Sequence, residues 1–358
     1  MKFNINKISN KKYNSIHLAT FLFFLVQYSL YPDESSSVFK RGERFFNDSL
    51  YNLAFEQYQK YLSLKRSQSF DRDNYPEAYF KSAICQYKMN NFKEAVENFE
   101  EYIRLFPSES NIINAMYEAG TIRKKLRDYA KASDWFFSIW NRFVGSSHSQ
   151  RALFEAAFCA EKVKNYERAT ELYQIYYNRF PQLENAKQAV FSLVNLYIIQ
   201  QNYLKTEEIL AALEKRWKYN KKLFVRILYY RAILAFKKQQ IDLAEKYFQS
   251  MVEIDTFKFP EKVRAYKKYI EVLTILKKFR KANDQFKNLY EILSLQSSED
   301  LSEFYKLWAE NSQRAGSYEE AILLNRKIIN LYPDKINIHQ IQYNIAECYI
   351  GIDDFPNA

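Results

Sequence analysis

An aromatic residue, or its substitute, stands three positions before an alanine, or its substitute, nine times along this chain. The marks are "YNLA" ending at Ala54, "FKEA" at Ala95, "YAKA" at Ala132, "YERA" at Ala169 and "YLKT" at Thr206. They continue with "IDLA" at Ala244, "FRKA" at Ala282, "YEEA" at Ala321 and "FPNA" at Ala358. Successive steps are 41, 37, 37, 37, 38, 38, 39 and 37 residues. A period of that size constrains the fold more than any bulk property, because it marks units that cannot bury their own apolar side and must stack.

Other positions keep the same register. Four residues after each mark stands a large apolar side chain, from Tyr58, Phe99 and Phe136 to Phe248 and Phe286, with Asn325 departing. Twelve residues before it stand Gly42, Ala83, Gly120, Ala157, Val194, Ala232, Ile270, Ala309 and Ala346. Pro107, Pro181 and Pro333 lie twelve residues after it, where a second helix should stop. Only five glycines and seven prolines occur in 358 residues, too few for the turns of an all-β protein. The expectation is an all-α chain of helix pairs. Thr206, Ile241, Val194 and Ile270 break the pattern, which predicts altered packing in the fifth to seventh units.

This combination of small residue, turn aromatic, Ala, second aromatic and closing Pro resembles the tetratricopeptide repeat, over residues 35–358. The resemblance implies a right-handed superhelical solenoid of antiparallel helix pairs that holds a protein or peptide in its concave groove. Units of 37 to 39 residues look like the longer repeats of bacterial envelope proteins, such as the lipoprotein of the outer-membrane assembly machine and the Tol-Pal coordinator. The lipid-bearing Cys of the first of these has no counterpart near residue 30. In such a superhelix the position fifteen residues before each mark would face the groove. It holds Phe39, Phe80, Tyr117, Phe154, Phe191, Tyr229, Lys267, Lys306 and Tyr343. Seven aromatics there would make a ladder for an extended peptide or an amphipathic helix. The rival reading has each ring packing against the preceding unit.

Residues 1–33 read as a signal peptide or N-terminal membrane anchor. Lys2, Lys7, Lys11 and Lys12 precede an uncharged run from Tyr13 to Pro32, followed by Asp33 and Glu34. That order predicts export, to the periplasm or to an inner-membrane anchor with the repeats outside the cytoplasm. The ninth unit stops at "DDFPNA", with Asp354 as its N-cap candidate and Phe355 as its turn aromatic, so eight and a half repeats are expected.

The formal charge of +11 is uneven. Residues 214–290 hold twenty Lys/Arg against eight Asp/Glu, a net of +12, leaving −1 elsewhere. Lys221, Lys222, Arg226, Arg264, Lys267, Lys268, Lys277, Lys278 and Arg280 form a candidate basic patch in the sixth and seventh repeats. Anionic lipid or an acidic envelope protein would suit it, and so would plain solvation. The export signal argues against nucleic acid.

Catalysis finds little material. His17, His148 and His339 have no carboxylate or Cys at triad or metal spacing, and no phosphate-cradling glycine motif occurs. Cys85, Cys159 and Cys348 share one register position, ten residues before the mark, as buried hydrophobes would. The chain reads as a non-catalytic scaffold with no cofactor or metal. The alternative is the recruiting arm of an enzyme whose catalytic domain lies beyond residue 358.

Overall fold

The computed structural model describes residues 34–64, 72–254, 261–294, 300–335 and 337–358. The segment 1–33, expected to be a signal or anchor, lies outside them. The described residues contain seventeen α-helices and no strand. No described helix is long and apolar enough to cross a membrane.

The helices alternate as first and second members of pairs. They are α1 (Glu34–Asn47) with α2 (Tyr51–Ser63), α3 (Tyr75–Lys88) with α4 (Phe92–Leu105), and α5 (Ile112–Lys125) with α6 (Tyr129–Arg142). Next come α7 (Ser147–Lys162) with α8 (Tyr166–Arg179), α9 (Glu184–Ile199) with α10 (Tyr203–Trp217), and α11 (Lys221–Lys237) with α12 (Ile241–Ile254). The series closes with α13 (Lys262–Ile275) and α14 (Phe279–Ser294), α15 (Ser302–Arg314) and α16 (Tyr318–Leu331), then α17 (Ile338–Gly351) and a 3-10 turn, Phe355–Asn357. Two compact units, residues 1–193 and 194–358, divide the chain inside α9.

The register explains the helices residue by residue. Each turn aromatic opens its second helix: Tyr51, Phe92, Tyr129, Tyr166, Tyr203, Phe279 and Tyr318, with Ile241 in the sixth repeat. The marking alanines from Ala54 to Ala321 are fully buried, as is Thr206, while Ala358 is exposed. The small residue of the first helix sits under the second aromatic. A Cβ added to Gly42 would lie 2.8 Å from the Tyr58 ring, and one on Gly120 2.9 Å from Phe136. Burying each such ring is worth about 1.5–3 kcal/mol, which a bulkier neighbour would forfeit.

Two residues before each turn aromatic the backbone turns left-handed. Ser49, Asn90, Arg127, Lys164, Gln201, Gln239, Lys277 and Asp353 have φ between 56° and 64°, and Gly316 has φ 75°. The next residue reaches back into the finished helix, as Asp128 N donates to the Arg123 carbonyl at 2.9 Å and Asn91 N to Gln86 at 3.0 Å. This is a Schellman ending, which normally selects glycine. Asp128, Asn165 and Asn202 then cap the second helices, accepting from Lys131, Arg168 and Lys205 amides at 3.3–3.4 Å. Asp354 caps no backbone amide. Its carboxylate accepts instead from the Asn357 side chain at 2.8 Å.

Candidate binding face on the first helices

The aromatic position expected to face a groove is largely core. Phe39, Phe80, Phe154, Phe191 and Tyr229 are buried, and Tyr117 is half-buried. Four of these rings meet the second helix of their own repeat. Phe39 lies 6.0 and 5.3 Å from Tyr58 and Tyr61, Phe80 5.7 and 5.4 Å from Phe99 and Tyr102. Tyr117 lies 5.4 Å from Phe136, and Phe154 5.8 and 5.4 Å from Tyr173 and Tyr176. The reason is helical geometry: fifteen residues before the mark points between the paired helices. An open ladder there is therefore corrected to rings seated mostly between the paired helices, of which Phe80 and Tyr117 also reach a pocket on the open face. Tyr343 alone is exposed, at 58%.

The basic patch also divides. Arg226 is buried, its guanidinium bidentate on Glu261 at 3.0 and 2.6 Å, with Tyr230 Oη donating to the same carboxylate at 3.1 Å. Lys278 pairs with Glu245, and Lys268 pairs with Glu271 at 2.6 Å while lying 4.7 Å from the Phe236 ring centroid. Lys221, Lys222, Arg264, Lys267, Lys277 and Arg280 are exposed. Arg226 thus leaves the patch as a structural ion, and six residues remain on the surface.

The face that the first helices leave open follows a neighbouring stripe, at eighteen, fourteen, eleven and seven residues before the mark. That is one side of a 3.6-residue helix. In the second to fourth repeats it carries Glu77, Lys81, Ile84 and Lys88; Asn114, Glu118, Thr121 and Lys125; Arg151, Glu155, Phe158 and Lys162. The sequence signal was present as charges recurring at 37-residue steps, but a search for aromatics passes over it.

A pocket of about 500 Å³ opens on this face, between α3, α5 and α7. Phe80, Ile84 and Tyr117 give its apolar floor, and Lys88, Glu118 and Arg151 its charges. The Arg151 guanidinium lies over the Tyr117 ring at 5.2 Å, and the His148 ring meets Tyr117 edge-on at 6.1 Å. Burial pushes the Glu118 carboxyl above its ordinary range, and Lys88 pulls it back only in part. Other acids of the stripe are held by neighbours: Glu155 by Lys124 at 2.7 Å, Glu77 by Lys81 at 3.3 Å. A second hollow, about 610 Å³, lies between α15 and α17, but Gln313 and Glu347 satisfy one another across it at 3.1 Å.

Nothing in these arrangements builds a reaction centre. His339 is exposed at the start of α17, and no metal-binding cluster occurs among the described residues. His17 lies outside them. The three cysteines are free and buried, and burial pushes the Cys85 and Cys159 thiols up to about 12.

Residues 77–108, the second repeat, match the tetratricopeptide repeat family model. That is a tetratricopeptide repeat. Its helix pair, buried alanine and turn aromatic recur in the neighbouring repeats, so the fold is an all-α tetratricopeptide-type repeat solenoid, a kind that is generally a non-catalytic protein-interaction scaffold. Among solved structures, a tetratricopeptide repeat protein from Parabacteroides merdae is 17% identical over 76% of this chain and 98% of its own, with TM-score 0.49. MamA from Desulfovibrio magneticus is 14% identical over 51% of this chain and 95% of its own, TM-score 0.38. A chain of the Naa15/Naa10 structure bound to HypK-THB is 14% identical over 89% of this chain and 47% of its own, TM-score 0.45. No curated protein sequence matches significantly.

Proposed function

We propose that the chain is a scaffold that holds a protein partner on the open face of the first helices in its second to fourth repeats. One observation carries this reading: the pocket between α3, α5 and α7 presents an apolar floor beside the half-buried Glu118 carboxylate, which no hydrogen bond satisfies among the described residues. Partial burial disfavours its charge and Lys88 offsets this only in part, so the carboxylate remains an acceptor open to a partner's donor. Aromatic floor with convergent polar groups is the usual make-up of a protein-binding hot spot.

Site-dependent photo-crosslinking tests it. A benzoylphenylalanine at Ile84, in the pocket, should trap one discrete partner from the native host. The same probe at Glu171, exposed on α8, should not. Equal labelling from both positions, or none from Ile84, would remove this face from consideration.

The cellular setting is a second part of the proposal. Basic flank, uncharged run and acidic exit over residues 2–34 support a scaffold of the bacterial cell envelope, outside the cytoplasm. Alkaline phosphatase fused after residue 60 should then be active, and an inactive fusion in a competent exporting host would contradict it. The exposed cations of the sixth and seventh repeats, among them Arg264 and Lys267, would add a contact to an acidic envelope partner.

A further inference from the structure

Between the second helix of the fifth repeat and the first helix of the sixth runs "KRWKYNKK", residues 215–222. Five of its eight residues are Lys or Arg, and none is acidic. Lys215, Arg216, Lys218, Lys221 and Lys222 are all exposed. Glu214, just before them, is held by the Arg231 guanidinium at 2.8 and 2.9 Å, so its charge is already matched. Joints at the same register elsewhere are different. Residues 106–111 read "FPSESN", 143–148 "FVGSSH" and 180–185 "FPQLEN", with no Lys or Arg in any of them.

The backbone also sets this joint apart. Phe106, Phe143 and Phe180, eleven residues after the mark, leave the helical conformation with φ of −129°, −125° and −128°. Trp217, at the same register, is still inside α10, and Lys218 after it is helical at φ −46° and ψ −40°. Lys218 stands where Pro107 and Pro181 stand in their repeats. With no proline to stop it, the helical path runs on and carries the next residue outward. Tyr219 is 91% exposed. The Lys218 ammonium lies 5.6 Å from its ring, and the Arg216 guanidinium 5.8 Å from that of Trp217.

Folding does not ask for this tip. Lys221 and Lys222 open α11, where the partial positive charge of a helix start favours acids. Glu77, Glu184 and Glu303 take the first turn of α3, α9 and α15. The start of α11 is capped instead by Asn220, whose side chain accepts from the Leu223 amide at 3.1 Å. A ring as exposed as Tyr219 adds almost nothing through burial.

Shape and charge together select the ligand. Stable protein contacts take about 20–30 residues a side, far more than one tip of eight. A bilayer yields around a convex tip and needs no matching groove. Tyr and Trp settle at headgroup level, and clusters of about four to eight basic residues adsorb to anionic headgroups. We propose that residues 215–222 dock on an anionic phospholipid surface, with Tyr219 entering the headgroup layer and the five cations set against phosphates around it. This contact uses no residue of the second to fourth repeats, and it leaves out Arg264 and Lys267.

The experiment uses the full chain carrying the environment-sensitive fluorophore NBD on Tyr219→Cys or, separately, on Gln239→Cys, an exposed site at the far end of α11. Cys85, Cys159 and Cys348 are buried, so the label goes to the introduced thiol. With vesicles containing phosphatidylglycerol, emission at position 219 should rise and shift to the blue, and added salt should reverse it. Position 239 should not respond, and neither position should respond to phosphatidylcholine alone. Each basic residue near such a surface strengthens adsorption about fivefold, so Lys215→Gln, Lys218→Gln, Lys221→Gln and Lys222→Gln together should weaken it on the order of a hundredfold or more. An equal response to neutral vesicles, at both label positions, or in the quadruple variant would overturn the proposal. A response at 219 to polyglutamate or to single-stranded RNA as large as that to vesicles of equal charge would overturn it in favour of an acidic protein or a nucleic acid. The label reports position 219 alone, so insertion through another segment does not count as support. Capture through Ile84 is a separate readout, and its outcome leaves this one untouched.

Discussion

The first unit and the second unit join their rings differently. In residues 34–193 the first-helix aromatics Phe39, Phe80, Tyr117 and Phe154 pack on rings of their own repeat, as Phe80 does on Phe99. In residues 194–358 that position keeps Tyr229 and Tyr343 but becomes Lys267 and Lys306 in the seventh and eighth repeats, where an aromatic appears two residues later, at Tyr269 and Trp308. Those rings stack on the preceding repeat: Tyr269 on Phe248 at 5.4 Å and 21°, Trp308 on Phe286 at 6.1 Å and 3°. Polar groups follow the same shift. Arg226 and Glu261 form a buried pair between α11 and the start of α13, and Asn283, Asn311, Ser312 and Glu320 link α14, α15 and α16. The contrast teaches that one register can be stabilised either within a hairpin or across the joint between hairpins. The second arrangement ties neighbours together at the expense of desolvated charge.

The sharpest way to break the comparison is to remove one ring from each kind of seam. Phe136→Ala and Trp308→Ala should each cost about 3–5 kcal/mol in denaturant unfolding. Hydrogen exchange should then rise mainly in α5 and α6 for Phe136→Ala, but in both the seventh and eighth repeats for Trp308→Ala. Exposure confined to one repeat in both variants would erase the distinction.

Breaking the buried pair should be nearly as damaging. Glu261→Ala strands the Arg226 guanidinium and is expected to cost about 3–5 kcal/mol, whereas Arg226→Met with Glu261→Leu should recover most of that. A double variant as unstable as the single one would mean that the pair stabilises the joint in its own right.

Smaller effects sharpen the picture in the first unit. Arg127→Gly relieves a left-handed residue and should stabilise by about 1–2 kcal/mol, read as a higher midpoint at unchanged slope. Glu118 titrates above its ordinary 4.5 in the folded chain because burial disfavours its charge, with Lys88, Arg151 and His148 lining the same pocket. The folded state therefore binds that proton more tightly. Its stabilising effect is full below about 4.5 and is lost as pH rises through the folded value. Glu118→Gln should raise stability at pH 7 slightly and flatten that dependence. Equilibrium unfolding at a series of pH values checks both.

Much of this fold was legible because the deciding positions repeat: Ala95, Phe99 and Ala83 are buried for the same steric reason in every repeat that carries them. The open face was harder to read. Phe80 and Phe154 are aromatic at a position that a groove or a seam could equally require, and only the path of the second helix decides between them. Charge counted along the chain misled for Arg226, whose carboxylate partner stands 35 residues on, one repeat away. The left-handed elbow left no compositional trace, since Ser, Asn, Arg, Lys, Gln and Asp all occupy it.

That elbow has a mechanical corollary. Eight side-chain-bearing residues hold a conformation that glycine alone takes without penalty, so every hairpin except the eighth, which has Gly316, is bent against its local preference and latched by what lies above and below it. Pulled from its ends, such a chain should yield hairpin by hairpin, each one springing straight once its neighbour has let go.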